Sequence, residues 1–148
     1  MPEVLTVGWR EWLALPELGI DRIKAKVDTG ARTSALHTFY IEPFMKGAEH
    51  WVKFGVHPIQ GDFDTVVHCT APIKDQRTVR DSGGHAEDRY VIDTSVNLCD
   101  KIFTAELTLT NRENMRFRML LGRTALRGRA LVAPGESYLC QKHGQRGH

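Results

Sequence analysis

The sequence predicts an all-β domain, a closed or nearly closed barrel with one short helix. Three observations carry that expectation. Apolar residues recur at every second position in about nine short runs, Gly, Pro, Asn and Asp separate those runs, and Thr124-Ala125-Leu126 is the one short helix-compatible segment. A chain of 148 residues is one domain's worth, assigned here to residues 1–141 with a polar tail over 142–148.

Val4 to Trp12 reads as the opening strand, and Pro16-Glu17-Leu18-Gly19 turns the chain. Ile23, Ala25 and Val27 then alternate with Lys24 and Lys26, the period of a half-buried strand. Thr33 to Thr38 runs outward again, Glu42-Pro43 breaks the pattern, and Met45 to Glu49 forms a hairpin tip. Trp51 to Val56 alternates, Gln60-Gly61-Asp62 is a loop, and Thr65 to Cys69 is β-branched. Gln76 to Arg80 and Arg89 to Asp93 are short strands flanking Asp81-Ser82-Gly83-Gly84-His85. Lys101 to Thr110 is the clearest strand, with Phe103, Ala105, Leu107 and Leu109 on one face and Thr104, Glu106, Thr108 and Thr110 on the other. Met115, Phe117 and Met119 alternate into Gly122-Arg123, and Leu131 to Ala133 and Ser137 to Cys140 close the chain around Pro134-Gly135.

Several function classes lose support from the totals. A formal charge of +2, without a Lys/Arg block or an aromatic-interleaved basic run, does not point to nucleic acid. No stretch approaches eighteen apolar residues, and Met1-Pro2-Glu3-Val4 starts no secretory pattern, so neither membrane spanning nor secretion is expected. Cys69, Cys99 and Cys140 are odd in number and scattered, and they read as reduced cysteines of a cytoplasmic protein.

The strand from Ile23 ends in Asp28-Thr29-Gly30-Ala31, which sets a carboxylate on a strand-to-turn corner. Thr29 offers a hydroxyl to nearby backbone, and Gly30 lets other groups come close, so Asp28 can be fixed and still reach a substrate. The triplet alone is weak, since chance supplies Asp-(Ser/Thr)-Gly in roughly one chain in ten of this size. It stands here a second time, at Asp81-Ser82-Gly83, where Gly83 and Gly84 suit either a mobile cover over a site or a plain exposed turn.

A second feature lies downstream. Met119-Leu120-Leu121-Gly122-Arg123 is an apolar strand end running into Gly-Arg and then a short helix. Asp-Thr-Gly-Ala, a β-rich middle and then this corner are the order of parts in single-domain aspartic proteases of the retropepsin type. More closely, Lys24 to Leu36, Arg80 to Ile92 and Leu107 to Leu126 resemble the bacterial retropepsin-like family labelled ATP-dependent zinc proteases. The resemblance runs from about Val7 to Leu139 and implies a retropepsin-like (acid protease) barrel. Asp28, Thr29 and Gly30 would then be its catalytic triplet, and Ala31, Arg32, Asp81, Ser82, Gly83, Gly84 and Arg123 would line the substrate site or its flap.

Such chemistry needs two facing carboxylates. A chain with one mounted Asp obtains the second from a copy of itself, so the resemblance implies a homodimer with no cofactor. One position departs from the viral pattern: an acidic residue there pairs with the corner Arg, whereas this chain has Arg32. Arg32 and Arg123 would need other acids, with Glu87, Asp88 and Glu106 as candidates, or leave positive charge beside the cleft. Lys24, Lys26, Arg32, Arg116, Arg118, Arg123, Arg127 and Arg129 would form a basic rim attracting acidic peptide, although each singly reads as a solvated strand-face charge.

Relatives of this family occur beside ATP-grasp ligases that add glutamate to proteins, which suggests a glutamate-rich peptide substrate or a ligase partner. The label itself finds little in the residues. Neither G-x-x-x-x-G-K-[ST] nor H-E-x-x-H is present, and only His57 and His68 are placed to meet across strands, so no metal is expected. Two other readings stay open: a catalytically silent binding module of the same fold, and a zinc hydrolase built from histidines.

Overall fold

A computed structural model describes residues 4–59, 61–80, 83–111 and 116–140. The expectations placed on Gln60, Asp81, Ser82, Met115 and the tail from 142 lie outside those residues. The chain runs through β1 (Leu5–Gly8) and β2 (Arg10–Leu15), a 3-10 turn at Pro16–Leu18, then β3 (Ile20–Asp28) and β4 (Ser34–His37). A three-stranded excursion follows, β5 (Tyr40–Lys46), β6 (Glu49–Val56) and β7 (Val67–Pro72). The chain returns through β8 (Asp75–Arg80), β9 (Ala86–Leu98), β10 (Lys101–Thr110), β11 (Met119–Gly122), α1 (Arg123–Leu126) and β12 (Ala130–Ala133).

The main sheet has the order β10-β4-β11-β3-β2-β9-β8, and β9 also pairs with β10, so six strands close into a ring with β8 on its rim. β11 lies parallel to β3 and antiparallel to β4, which threads it between the two arms of the Asp28 turn. The alternation read in the sequence decides which side faces in. Ile23, Ala25 and Val27 of β3 are buried while Lys26 is exposed. Ile20, Ile23, Leu36, Leu107, Met119 and Leu121 are fully buried in one core that also takes Phe54 from the three-stranded sheet. Each such side chain contributes about 1.5–3 kcal/mol by leaving water.

Among the described residues twelve strands replace the expected nine. The opening run divides at Trp9, and Gly47, with φ 65°, makes the expected hairpin tip. Pro43 does not break β5, because β5 is an edge strand whose outer side forms no ladder. Thr108 and Thr110 of the second face are buried, and their hydroxyls are satisfied there: Thr108 donates to Ser34 O at 3.2 Å and Thr110 to Glu87 at 2.9 Å. Ser137 to Cys140 forms no strand.

That last segment is held by Glu11. The fully buried carboxylate accepts from Gly8 N at 2.7 Å, Leu139 N at 2.8 Å and Cys140 N at 3.0 Å. Beside it Cys140 forms a disulfide with Cys99, across 41 residues of sequence, which corrects the reading of three reduced cysteines. Cys99 and Asp100 form the two-residue β9–β10 turn, both with positive φ, at 54° and 65°. Cys69 is the free thiol, and burial pushes it up to about 12. Among the described residues no helix is long and apolar enough to cross a membrane.

Candidate active site

Val27 is buried and Asp28 half-buried at the end of β3, and Thr29 and Gly30 beyond them are exposed. The carboxylate is fixed by its own turn. Asp28 Oδ1 accepts from Gly30 N at 2.9 Å, and Asp28 O accepts from Ala31 N at 3.2 Å. A Cβ on Gly30 would sit 3.1 Å from Asp28 Oδ1, so a side chain there would press on the carboxylate. The second oxygen, Oδ2, has no partner among the described residues and is available for chemistry.

β11 braces the corner from beneath. Gly122 pairs in register with Asp28, and its N donates to the buried Ser34 Oγ at 3.0 Å. A Cβ on Gly122 would lie 2.6 Å from backbone atoms of Thr33, so only glycine allows this approach. Arg123 N donates to Ala31 O at 2.8 Å, its Nη1 donates to Gly30 O at 3.2 Å, and Thr124 N donates to Arg32 O at 3.2 Å. Asp28, Thr29, Gly30, Ala31, Arg32 and Arg123 are thus one assembly, although Asp28 and Arg123 stand 95 positions apart in the sequence.

Gly83 and Gly84 lie in the turn joining β8 to β9, where Gly84 has φ 82°. The strand leading to that turn borders the corner. A groove of about 490 Å³ runs between Arg32, Thr33 and Thr124 on one side and Arg77, Thr78, Val79 and Arg80 on the other, floored by Glu106 and Thr108.

The acids offered to Arg32 and Arg123 are committed elsewhere, which corrects that pairing. Glu106 takes both arms of Arg77 at 2.9 and 3.2 Å and Lys74 at 2.7 Å, and these hydrogen bonds hold its carboxyl down at about 2. Glu87 accepts from Thr110 and faces Arg89 Nε at 3.6 Å, and Asp88 accepts from Thr78 at 2.7 Å. Neither Arg32 nor Arg123 has a carboxylate partner among the described residues.

The basic rim is smaller than the sequence suggested. Arg118 is buried, donates to His57 O at 3.1 Å and lies over the Phe63 ring. Arg129 stacks on Phe103 at 4.4 Å, and Lys24 lies over the Phe117 ring. Of the expected rim, Lys26, Arg32, Arg116, Arg123 and Arg127 stay exposed. His57 stacks on Phe39 at 4.2 Å, and His68 shares a 2.6 Å hydrogen bond with Tyr40. Among the described residues no group of three or more His, Cys, Asp or Glu is placed to hold a metal.

Sequence reasoning did not reach Ser34, Arg77 or Thr124. Ser34 arrives through the pairing of β4 with β11, Arg77 through the pairing of β8 with β9, and Thr124 through α1, whose first turn closes on Arg32 O.

A ring of short strands with Asp-Thr-Gly on one strand end and Gly-Arg on its parallel neighbour defines a retropepsin-like fold. Residues 6–143 match the RimB-like family, described as "Retropepsin-like aspartic endopeptidase RimB", and the chain belongs to that family. A "Probable alpha-L-glutamate ligase" from Shewanella pealeana is 44% identical over 93% of this chain, which corresponds to 30% of that protein. One of the same description from Desulfotalea psychrophila is 48% identical over 86% of this chain and 28% of its own. The chain therefore spans about 30% of the length of the curated relatives it matches. A crystal structure of a Legionella pneumophila protein of unknown function shares the fold, with a TM-score of 0.77, 23% identity, and coverage of 93% of this chain and 99% of that one.

Proposed function

We propose that two copies of this chain join their Asp28 corners and hydrolyse peptide bonds in acidic, glutamate-rich segments. The observation that carries this reading is the mounting of Asp28: one oxygen tied to Gly30 N, the other unengaged, on an exposed corner. Across a two-fold axis the two carboxylates would share one proton, because like charges a few ångströms apart do not both ionise cheaply.

The ionised member takes a proton from a water whose oxygen attacks the scissile carbonyl carbon. The protonated member donates to the carbonyl oxygen, giving a neutral gem-diol. Its collapse breaks the C–N bond, and the amine leaves with a proton returned from the dyad. Gly30 N and the Gly122 brace hold the carboxylate in place, so little reorganisation accompanies the step. The endopeptidase description of the family supports this reading, and unpaired positive charge at the corner supports acidic substrates.

The curated relatives favour a second reading. Their names describe ligases, and this chain matches only part of them, so it is also proposed as a silent module that binds acidic segments or a glutamate ligase. Asp28→Asn separates the two. Under the first reading hydrolysis of a glutamate-rich peptide disappears while binding persists; under the second the parent protein releases no product.

A further inference from the structure

The groove beside the Asp28 corner holds three arginines and one carboxylate, and the arginines are not equivalent. Arg77 is neutralised on the spot, gripped by Glu106 through two hydrogen bonds and by Asp75 at 3.1 Å. Glu106 is also engaged by Lys74, so it has no charge to spare. Arg32 and Arg80 are exposed, line the same groove, and have no ion-pair partner among the described residues. Arg32 follows Ala31, whose carbonyl is tied to Arg123, so its backbone is fixed relative to Asp28. Arg80 lies on β8, which pairs with β9 on one side and among the described residues has no partner strand on the other.

We infer that Arg32 and Arg80 form the side-chain pocket that reads a carboxylate on the substrate next to the scissile bond. This rests on the peptide-hydrolase reading of the Asp28 corner and names the pair that sets its specificity. The groove's volume of about 490 Å³ lies in the range of ligand pockets. Two guanidinium forks without carboxylate partners among the described residues match a planar carboxylate, and they do so better than an ammonium would. Thr124 adds a hydroxyl to the wall, whereas the Thr78 and Thr108 hydroxyls are committed to Asp88 and to Ser34 O. The Arg77–Glu106 pair forms the floor and stiffens β8 without taking part in recognition. In a two-fold assembly the groove is present twice, once on each side of the dyad, so the favoured substrate is a run of acidic residues rather than a single one.

The test is fluorescence anisotropy with labelled tetraglutamate and tetraglutamine peptides on the full-length Asp28→Asn protein, which binds without turnover. Tetraglutamate binds at least about tenfold tighter, since hydrogen bonds between ionised partners are stronger than those to a neutral amide. Arg32→Ala and Arg80→Ala each remove most of that preference, Arg32→Lys restores only part of it, and Lys53→Ala, an equal charge change outside the groove, leaves it. Circular dichroism identifies any variant that has not folded, and the lysine variant then carries the comparison. Equal affinity for the two peptides, or a loss at Lys53→Ala as large as at Arg32→Ala, overturns the assignment. If the parent protein cleaves neither peptide but this binding pattern holds, hydrolysis fails and the pocket stands.

Discussion

Two carboxylates sit on adjacent strands of one sheet and have opposite surroundings. Glu11 on β2 is fully buried, and its oxygens accept three backbone N–H groups, one from Gly8 three residues away and two from the distant C-terminal segment. Asp28, at the end of β3, accepts one N–H from its own turn and keeps an oxygen unengaged at the surface. The difference separates a structural acid from a candidate chemical one. A carboxylate saturated by fixed donors locks chain segments together, whereas one held by a single donor keeps its position and its reactivity. Two of the groove's three arginines repeat the contrast, Arg77 saturated by Glu106 and Arg32 without a carboxylate partner among the described residues.

Replacing each acid breaks the comparison in a different measurement. Asp28→Asn lowers kcat on a glutamate-rich peptide at least about 1000-fold, roughly 4 kcal/mol of barrier, yet shifts unfolding stability by under about 0.5 kcal/mol. Steady-state kinetics and urea denaturation on the same preparation check both halves. Glu11→Ala does the reverse. It strands three buried N–H groups and lowers stability by about 3 kcal/mol, seen as a drop in the denaturation midpoint.

A smaller effect comes from Glu106. Its carboxyl is held at about 2, below its ordinary 4.5, so its contribution is fully present above about pH 4.5 and is lost as pH falls through about 2. Because the pair with Arg77 is part exposed, solvent screening leaves at most about 1 kcal/mol. Acid titration of the parent protein against Glu106→Gln reads it. The stability gap between the two closes between about pH 4.5 and pH 2, and a gap independent of pH would remove the ion pair from the account.

Much of this arrangement was legible in the sequence. Period-two alternation located β3 and β10, and Asp28-Thr29-Gly30 with Gly122-Arg123 located both halves of the corner, because those signals are local. What was missed depends on chain segments meeting in three dimensions. The Cys99–Cys140 bond needs the C-terminal segment folded back onto β2, and the β9–β10 turn reaches positive φ at Cys99 and Asp100 without the usual Asn-Gly signal. The basic rim was overcounted because charge pattern does not distinguish an arginine in solvent from Arg118, buried under Phe63. Pro43 was misread for a related reason: whether proline interrupts a strand depends on whether that strand lies at an edge.

The central claim is that catalysis needs Asp28 from two molecules at once, and subunit mixing tests it most directly. Parent and Asp28→Asn chains are combined in varying proportion at constant total concentration, allowed to exchange, and assayed on a glutamate-rich peptide. If each active unit needs two intact corners, activity follows the square of the parent fraction, so an equal mixture retains about a quarter. Activity falling in direct proportion, with about half remaining, would mean that a single chain carries the reaction by itself.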